Sequence, residues 1–189
     1  MAFSVNSIIK IENNMKRLFA IFATAFLTCL VTALLYNPVS LAIFKIAEPY
    51  FEYPIQIDPG KTMIVRNDAG GDGDFGAKRL NGRSHTGIDI QAPLMTPVRA
   101  SKSGLAFCLN VPTGYGKYIL IQHPDGFQTL YSHLTEWNII SGSRVRRGDI
   151  IGFVGKSGNA NRKNIEPHLH FEIRKNNEPQ DPRKLMKGK

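Results

Sequence analysis

The chain has 189 residues, which is room for one domain of ordinary size and an extension. Hydrophobic residues make up 42% and charged residues 21%, a globular profile that excludes a disordered chain, a coiled coil and a protein with many membrane spans. Two cysteines exclude a disulfide framework and a four-cysteine zinc site, and the formal net charge of +9 favours an anionic partner.

The first predicted element is an apolar helix near the N-terminus. Residues 18–36 carry no charge, and Lys10, Lys16 and Arg17 precede them. Nineteen helical residues at about 1.5 Å each span the hydrocarbon core of a bilayer. Because the positive flank stays cytoplasmic, the remainder of the chain is predicted to lie outside the cytoplasmic membrane.

The sequence leaves the fate of this helix open. A signal anchor is retained, whereas the small residues Ser40 and Ala42 permit cleavage of a signal peptide after Ala42. A translation start at Met15 would give that signal peptide an ordinary length. The predicted regions are therefore a cytoplasmic N-terminus with the anchor or signal peptide, a linker, and the exported domain: 1–42, 43–66 and 67–189.

The location of the exported domain narrows the choice of anionic partner. A domain outside the cytoplasmic membrane does not meet nucleic acid, and its basic residues are spread rather than gathered in one run. Anionic polymers of the cell envelope or lipid head groups fit such a surface better. We therefore expect a protein of the cell envelope, either membrane-anchored, periplasmic or secreted.

The exported domain is predicted to be mainly antiparallel β structure. A long loop rich in Gly, Asp and Asn covers 67–84, and no helix of more than two turns is evident after residue 45. The tripeptide Pro124-Asp125-Gly126 is typical of a hairpin turn. Six short apolar runs between turn signals are predicted as strands, at 97–100, 104–111, 117–123, 127–133, 149–155 and 168–174.

The last of these strands carries two histidines on one face. His168 and His170 alternate with Leu169, Phe171 and Ile173, so an extended chain places both imidazoles opposite the apolar face, about 7 Å apart at Cα. Two cationic imidazoles at this distance would repel each other. A divalent metal, or a metal ligand beside a neutral base, removes that repulsion.

A second cluster supplies the remaining ligands of a metal site. His85 and Asp89 are four residues apart and share a face if the chain is extended. His, Asp and His form a suitable ligand set for Zn²⁺, and three protein ligands leave the fourth position open for water, as in catalytic zinc sites. His133 and the spare His168 are candidates for proton transfer at neutral pH.

The motifs HTGID, YSHL and HLHFE, in this order, resemble those of the M23 zinc metallopeptidases, the lysostaphin-like or LytM-like peptidoglycan hydrolases. The resemblance runs from about residue 75 to residue 182 and implies a small antiparallel β-sheet that forms a groove. It also implies one Zn²⁺ per chain and two catalytic histidines, with the general base not decided between them. The implied ligands are His85, Asp89 and His170, and the implied catalytic residues are His133 and His168.

The activity that the resemblance implies is zinc-dependent hydrolysis of the peptide crosslinks of bacterial peptidoglycan. A D-alanine–diaminopimelate crosslink and a glycine bridge both remain possible substrates. The alternative is a non-catalytic LytM-like regulator that binds and activates cell-wall amidases, but the presence of all five residues favours the enzyme. A latent enzyme is a third possibility, with residues 43–66 over the groove or Asn67 or Asp68 as a fourth ligand.

Three features near the motifs bear on specificity or metal support. Residues 159–166 form an eight-residue stretch, with Arg162 and Lys163, where the family usually has about four residues. Leu94-Met95-Thr96 stands where a Gly-Thr pair is usual. Glu172 shares the strand face of the two histidines, as a support for a metal ligand or as a solvated residue.

Overall fold

The computed structural model describes residues 5–58, 60–79 and 82–187, and the chain divides into two compact units at Ile46 and Ala47. The first unit is one helix, α1, which spans Val5–Ala47. Within its segment Glu12–Ala47, an 18-residue window has a mean hydropathy of 2.4, and the segment is long and apolar enough to cross a membrane by length and composition. The predicted apolar helix is therefore present, and it fits a signal anchor.

The second unit consists of short antiparallel strands. The elements are β1 Asn67–Asp68, β2 Gly71–Asp72, β3 Ile88–Gln91, β4 Pro97–Arg99, β5 Gly104–Asn110, β6 Lys117–Gln122, β7 Phe127–Ser132, β8 Leu134–Trp137, β9 Ser143–Val145, β10 Ile150–Val154, a 3₁₀ helix Gly158–Ala160, β11 His168–Lys175, β12 Glu178–Gln180 and α2 Pro182–Leu185. A seven-stranded sheet has the order β12-β11-β7-β6-β5-β9, with β3 paired to β11. A smaller sheet has the order β4-β10-β8, and β1 and β2 form a hairpin.

This architecture confirms the predicted fold class of mainly antiparallel β structure with an N-terminal apolar helix. All six predicted strands are present, and the turn at Pro124-Asp125-Gly126 joins β6 to β7. Gly126 has a φ of 78°, the conformation for which glycine is preferred in such turns. The region predicted as a loop, 67–84, contains the additional hairpin β1–β2, because two-residue strands leave no alternation to detect.

The irregular segment between α1 and β1 packs within the second unit. Phe51 is 2% exposed, and the amide of Glu52 donates to the carbonyl of Ser101. Further along, Val65 pairs with Ile90 of β3. The boundaries at 42 and 66 remain predictions, since α1 continues to Ala47 and the residues after it belong to the second unit.

The central strand β11 separates the core from the site. Leu169, Phe171 and Ile173 are each 0% exposed and pack in the hydrophobic core, as the alternation predicts. The intervening polar side chains lie on the opposite face of the strand. Every residue from 168 to 173 is buried, so the polar face is covered too.

Candidate active site

Three side chains converge where β3 pairs with β11. The register of these strands places Asp89 opposite His170, and His85 lies just before β3. Nδ1 of His170 is 2.8 Å from Oδ1 of Asp89 and 2.9 Å from Nε2 of His85. Nε2 of His85 is 3.1 Å from the same oxygen of Asp89. All three residues are buried, and they form the metal-ligand cluster found among the described residues.

The hydrogen bonds of the two histidines show what this cluster can hold. Nδ1 of His85 lies 2.9 Å from the carbonyl oxygen of Asp74, which can only accept, so Nδ1 donates and Nε2 carries a lone pair. Nε2 of His170 lies 2.9 Å from Oε1 of Glu172, so in the neutral ring Nδ1 carries the lone pair. With His170 neutral, two nitrogen acceptors and a carboxylate oxygen face one another, an arrangement that positive charge stabilises, either as a metal ion among them or as a proton on Nδ1 of His170.

Zinc fits this donor set. Two ligands of a tetrahedral zinc ion, each at about 2.0–2.1 Å, lie about 3.3 Å apart. The ligand atoms of His85, Asp89 and His170 are 2.8–3.1 Å apart, so a small adjustment of the side chains suffices. The second ring nitrogen of each histidine is bonded to an oxygen, which is the usual support for a histidine that binds a metal.

The electrostatics of the cluster also favour a cation. Burial lowers the pKa of His170, but hydrogen bonds and charge from Asp89 and Glu172 outweigh it and raise the pKa to about 9. Burial raises the pKa of Asp89, but the adjacent imidazoles of His170 and His85 hold it well below its usual value. The site therefore keeps its carboxylate ionised and stabilises positive charge at neutral pH.

Glu172 supports the cluster from β11 and is 0% exposed. Its Oε1 accepts from His170, from the hydroxyl of Thr86 at 2.6 Å and from the hydroxyl of Tyr115 at 2.8 Å. Its Oε2 accepts from Nε of Arg174 at 2.6 Å. Burial raises its pKa, but the bond to His170 and the other donors lower it to about 2. Of the two roles open for this residue, the structure excludes the solvated one.

Two arginines hold the other oxygen of Asp89. The guanidinium groups of Arg66 and Arg79 donate to Oδ2 at 2.8 Å and 3.0 Å. Arg66 is 3% exposed and also pairs with Asp68. These contacts orient the carboxylate so that Oδ1 faces the histidines. Neither arginine was among the predicted site residues, because the irregular segment before β3 has no periodicity from which the direction of its side chains follows.

His133 occupies the point where the chain passes from the larger sheet to the smaller one. It lies between β7 and β8 with a φ of 63°, a conformation that is uncommon for residues other than glycine. Its amide donates to the carbonyl of Tyr115 at 3.0 Å, and its Nδ1 donates to the carbonyl of Ser157 at 2.9 Å. The strained backbone and both hydrogen bonds hold the ring in one orientation.

His168 is held in the same manner. Its Nδ1 donates to the carbonyl of Glu166 at 2.7 Å, and its ring lies 5.0 Å from that of His133 between centroids. The ring of His133 is 5.9 Å from that of His170. Burial lowers the pKa of His168, and burial with the nearby imidazoles lowers the pKa of His133 to about 3. Both rings are therefore neutral at pH 7, and each presents the lone pair of Nε2.

A groove of about 550 Å³ joins these parts. The three metal-ligand candidates, both further histidines and Tyr115 line it, as do four arginines. Asp68 does not join the ligand cluster, since its carboxylate accepts from the amides of Gly70 and Glu166, each at 2.7 Å. His123 lies outside the groove lining and bonds to the carbonyl of Ser103 and the hydroxyl of Thr129.

Comparison with known proteins assigns the chain to a protein family. The profile of Peptidase family M23 matches residues 83–182, which is more than half of the chain. The chain belongs to this family of metallopeptidases. The predicted resemblance to this family and the predicted fold class are thus both confirmed.

Relatives with curated names share this domain. The DD-carboxypeptidase/endopeptidase Mpg of Neisseria meningitidis serogroup B is 45% identical over 100 residues, covering 53% of this chain and 22% of that protein. The peptidoglycan DD-endopeptidase ShyA of Vibrio cholerae is 35% identical over 89 residues, covering 47% of this chain and 20% of that protein. The matched region therefore spans about a fifth of the length of these relatives.

Solved structures agree with the fold. A zinc-containing peptidase from Vibrio cholerae has a TM-score of 0.56 at 29% identity, over 70% of this chain and 39% of that one. A catalytic-domain variant of the prophage-encoded M23 protein EnpA from Enterococcus faecalis has a TM-score of 0.55 at 29% identity, over 69% of this chain and 95% of that one.

Proposed function

We propose that this protein is a zinc-dependent endopeptidase that hydrolyses the peptide crosslinks of bacterial peptidoglycan. The observation that carries the proposal is the convergence of three acceptor atoms, from His85, Asp89 and His170, beside two neutral histidines in one groove. Relatives named as peptidoglycan DD-endopeptidases support peptidoglycan as the substrate.

The five residues divide into two roles. His85, Asp89 and His170 hold the zinc ion, which when bound polarises a carbonyl and lowers the pKa of water. His133 and His168 accept and donate protons at Nε2, because Nδ1 of each ring donates a hydrogen bond to a backbone carbonyl. One ring accepts the proton of the attacking water and then passes it to the leaving amine. A ring that stabilises the oxyanion must be protonated first, because a neutral ring with a hydrogen at Nδ1 has no donor at Nε2.

The location follows from the helix and the substrate. Helix α1 anchors the chain in the cytoplasmic membrane, and the basic N-terminal flank keeps the catalytic unit on the outer side. There the enzyme reaches peptidoglycan, its proposed partner in the cell envelope.

Mass spectrometry of released fragments tests the proposal. Purified peptidoglycan is incubated with the full chain in detergent and zinc, with chelator-treated protein and His170→Ala as blanks. Fragments cut within the crosslinking peptides, and absent from both blanks, are the expected result. Cleavage between sugar and peptide would make the protein an amidase, and the absence of any cleavage would contradict the proposed endopeptidase activity of this chain.

A further inference from the structure

The groove carries more positive charge than a metal site needs. Its lining includes Arg66, Arg79, Arg83 and Arg162, whereas Asp89 is the one acidic residue among the described residues that line it. Arg66 and Arg79 both donate to Oδ2 of Asp89, so one negative charge faces two guanidinium groups. Bound zinc adds further positive charge, and the groove therefore attracts an anionic group of the substrate.

Arg162 presents its side chain differently from the two arginines that bind Asp89. It is exposed, and it lies in the stretch 159–166 that leads to β11. Its backbone is fixed at both ends of the residue. The amide donates to Ala160 at 2.8 Å, and the carbonyl accepts from Nζ of Lys156 at 2.9 Å and from the amide of Ile165.

Both ends of the stretch are held by hydrogen bonds to other parts of the second unit. At its start, Asn159 and Gly114 exchange two hydrogen bonds, of 2.9 Å and 3.0 Å. At its end, the amide of Glu166 donates to Asp68 at 2.7 Å, and the carbonyl of Glu166 holds the ring of His168. The backbone that carries Arg162 is thus held by Gly114 and Asp68, and it leads into Glu166, whose carbonyl orients His168.

We propose that Arg162 binds a free carboxylate of the substrate peptide and thereby selects acidic crosslinks, those of the D-alanine–diaminopimelate type, over uncharged glycine bridges. The inference rests on the proposed function and names the substrate class of the same groove. A guanidinium group binds a carboxylate through two parallel hydrogen bonds, which gives both affinity and orientation. A glycine bridge has no carboxylate in its interior and leaves Arg162 without this partner.

The test combines one substitution with one chemical change of the substrate. Arg162→Gln and the control Lys163→Gln remove one positive charge each from adjacent exposed positions, of which only Arg162 lines the groove. The probes are a crosslinked stem-peptide dimer with its diaminopimelate carboxylate free and the same dimer with that carboxylate amidated. Binding to the chelator-treated full chain is measured by calorimetry, and kcat/KM is measured separately with zinc.

Arg162→Gln is expected to weaken binding of the free dimer by about tenfold or more and to lower kcat/KM similarly, mainly through KM. Lys163→Gln should stay within about twofold of the wild type. Amidation should reduce wild-type binding by a similar factor, and Arg162→Gln should then cause no further loss.

Three results would overturn the inference. The first is an equal loss for both dimers on Arg162→Gln, and the second is an equal effect of the two substitutions. The third is a wild type that neither binds nor cleaves the free dimer. The two proposals fail separately: selective binding without cleavage refutes the enzyme alone, whereas cleavage unaffected by Arg162→Gln refutes the role of Arg162 alone.

Discussion

Glu172→Gln tests how far the metal site depends on one buried carboxylate. The substitution keeps the size of the side chain and removes its charge. In the protein, Oε1 of Glu172 accepts from His170, Thr86 and Tyr115, and Oε2 accepts from Arg174. A glutamine has one acceptor oxygen and one donor amide. Whichever way it turns, its amide faces either Arg174 or three other donors, so at least one buried hydrogen bond becomes a contact between two donors.

The magnitude follows from burial. Removing one partner of a buried ion pair costs about 3–5 kcal/mol, and the side chain of Glu172 is 0% exposed. The side chain of Arg174 is 24% exposed and regains some hydration, so we expect the free energy of unfolding to fall by about 3 kcal/mol. Loss of the negative charge that His170 faces should also weaken zinc binding by about 10–100-fold.

Two measurements separate these effects. The free energy of unfolding is obtained from urea titration of the full chain in detergent, followed by the fluorescence of the single tryptophan, Trp137. The zinc Kd is obtained by competition with a chelator. Glu178→Gln is the matched control, since Glu178 is exposed in β12 and its substitution should change stability by less than about 0.5 kcal/mol. A zinc Kd within threefold of the wild type in Glu172→Gln would refute the supporting role.

Three further predictions concern catalysis, packing and pH. His133→Ala and His168→Ala should each lower kcat by about 10²–10⁴-fold and leave the zinc content, measured by atomic absorption, unchanged; zinc loss in either would contradict the division of roles. Gly87→Ala should lower the free energy of unfolding by about 1–3 kcal/mol, because a Cβ there collides with β11. The open Gly148 provides a control in which only the positive φ opposes alanine. Burial lowers the pKa of His123, so at acidic pH this residue binds fewer protons in the folded state than in the unfolded state. Its contribution to the free energy of unfolding should therefore be constant above about pH 6.5 and should decrease as the pH falls below that value. His123→Gln should flatten this decline in urea titrations at several pH values, and an unchanged slope would argue against it.

Local patterns in the sequence were sufficient for the outline of the fold. The uncharged run 18–36 predicted an apolar helix because length and lack of charge are properties of a single segment. The alternation from His168 to Ile173 predicted a strand with a core face and a polar face, and both are present. These patterns offered a His/Asp/His donor set, and the resemblance to a family singled out His85, Asp89 and His170, the three side chains that converge where β3 pairs with β11.

Other parts of the site depend on residues far apart in the chain. Arg66 reaches Asp89 across 23 positions, and Thr86 reaches Glu172 across 86. No periodicity encodes such contacts, because they exist only after the irregular segment before β3 has folded onto the sheet. The left-handed backbone of His133 is likewise set by the passage of the chain between two sheets.

The sequence by itself determined which residue types form the strands and which donors are available to a metal. The tertiary structure decided their chemistry. Hydrogen bonds that the rings donate to carbonyl and carboxylate oxygens select the tautomer of each histidine, and burial keeps His133 and His168 neutral. Tautomer and protonation depend on the surroundings of a side chain, and those surroundings exist only in the folded protein.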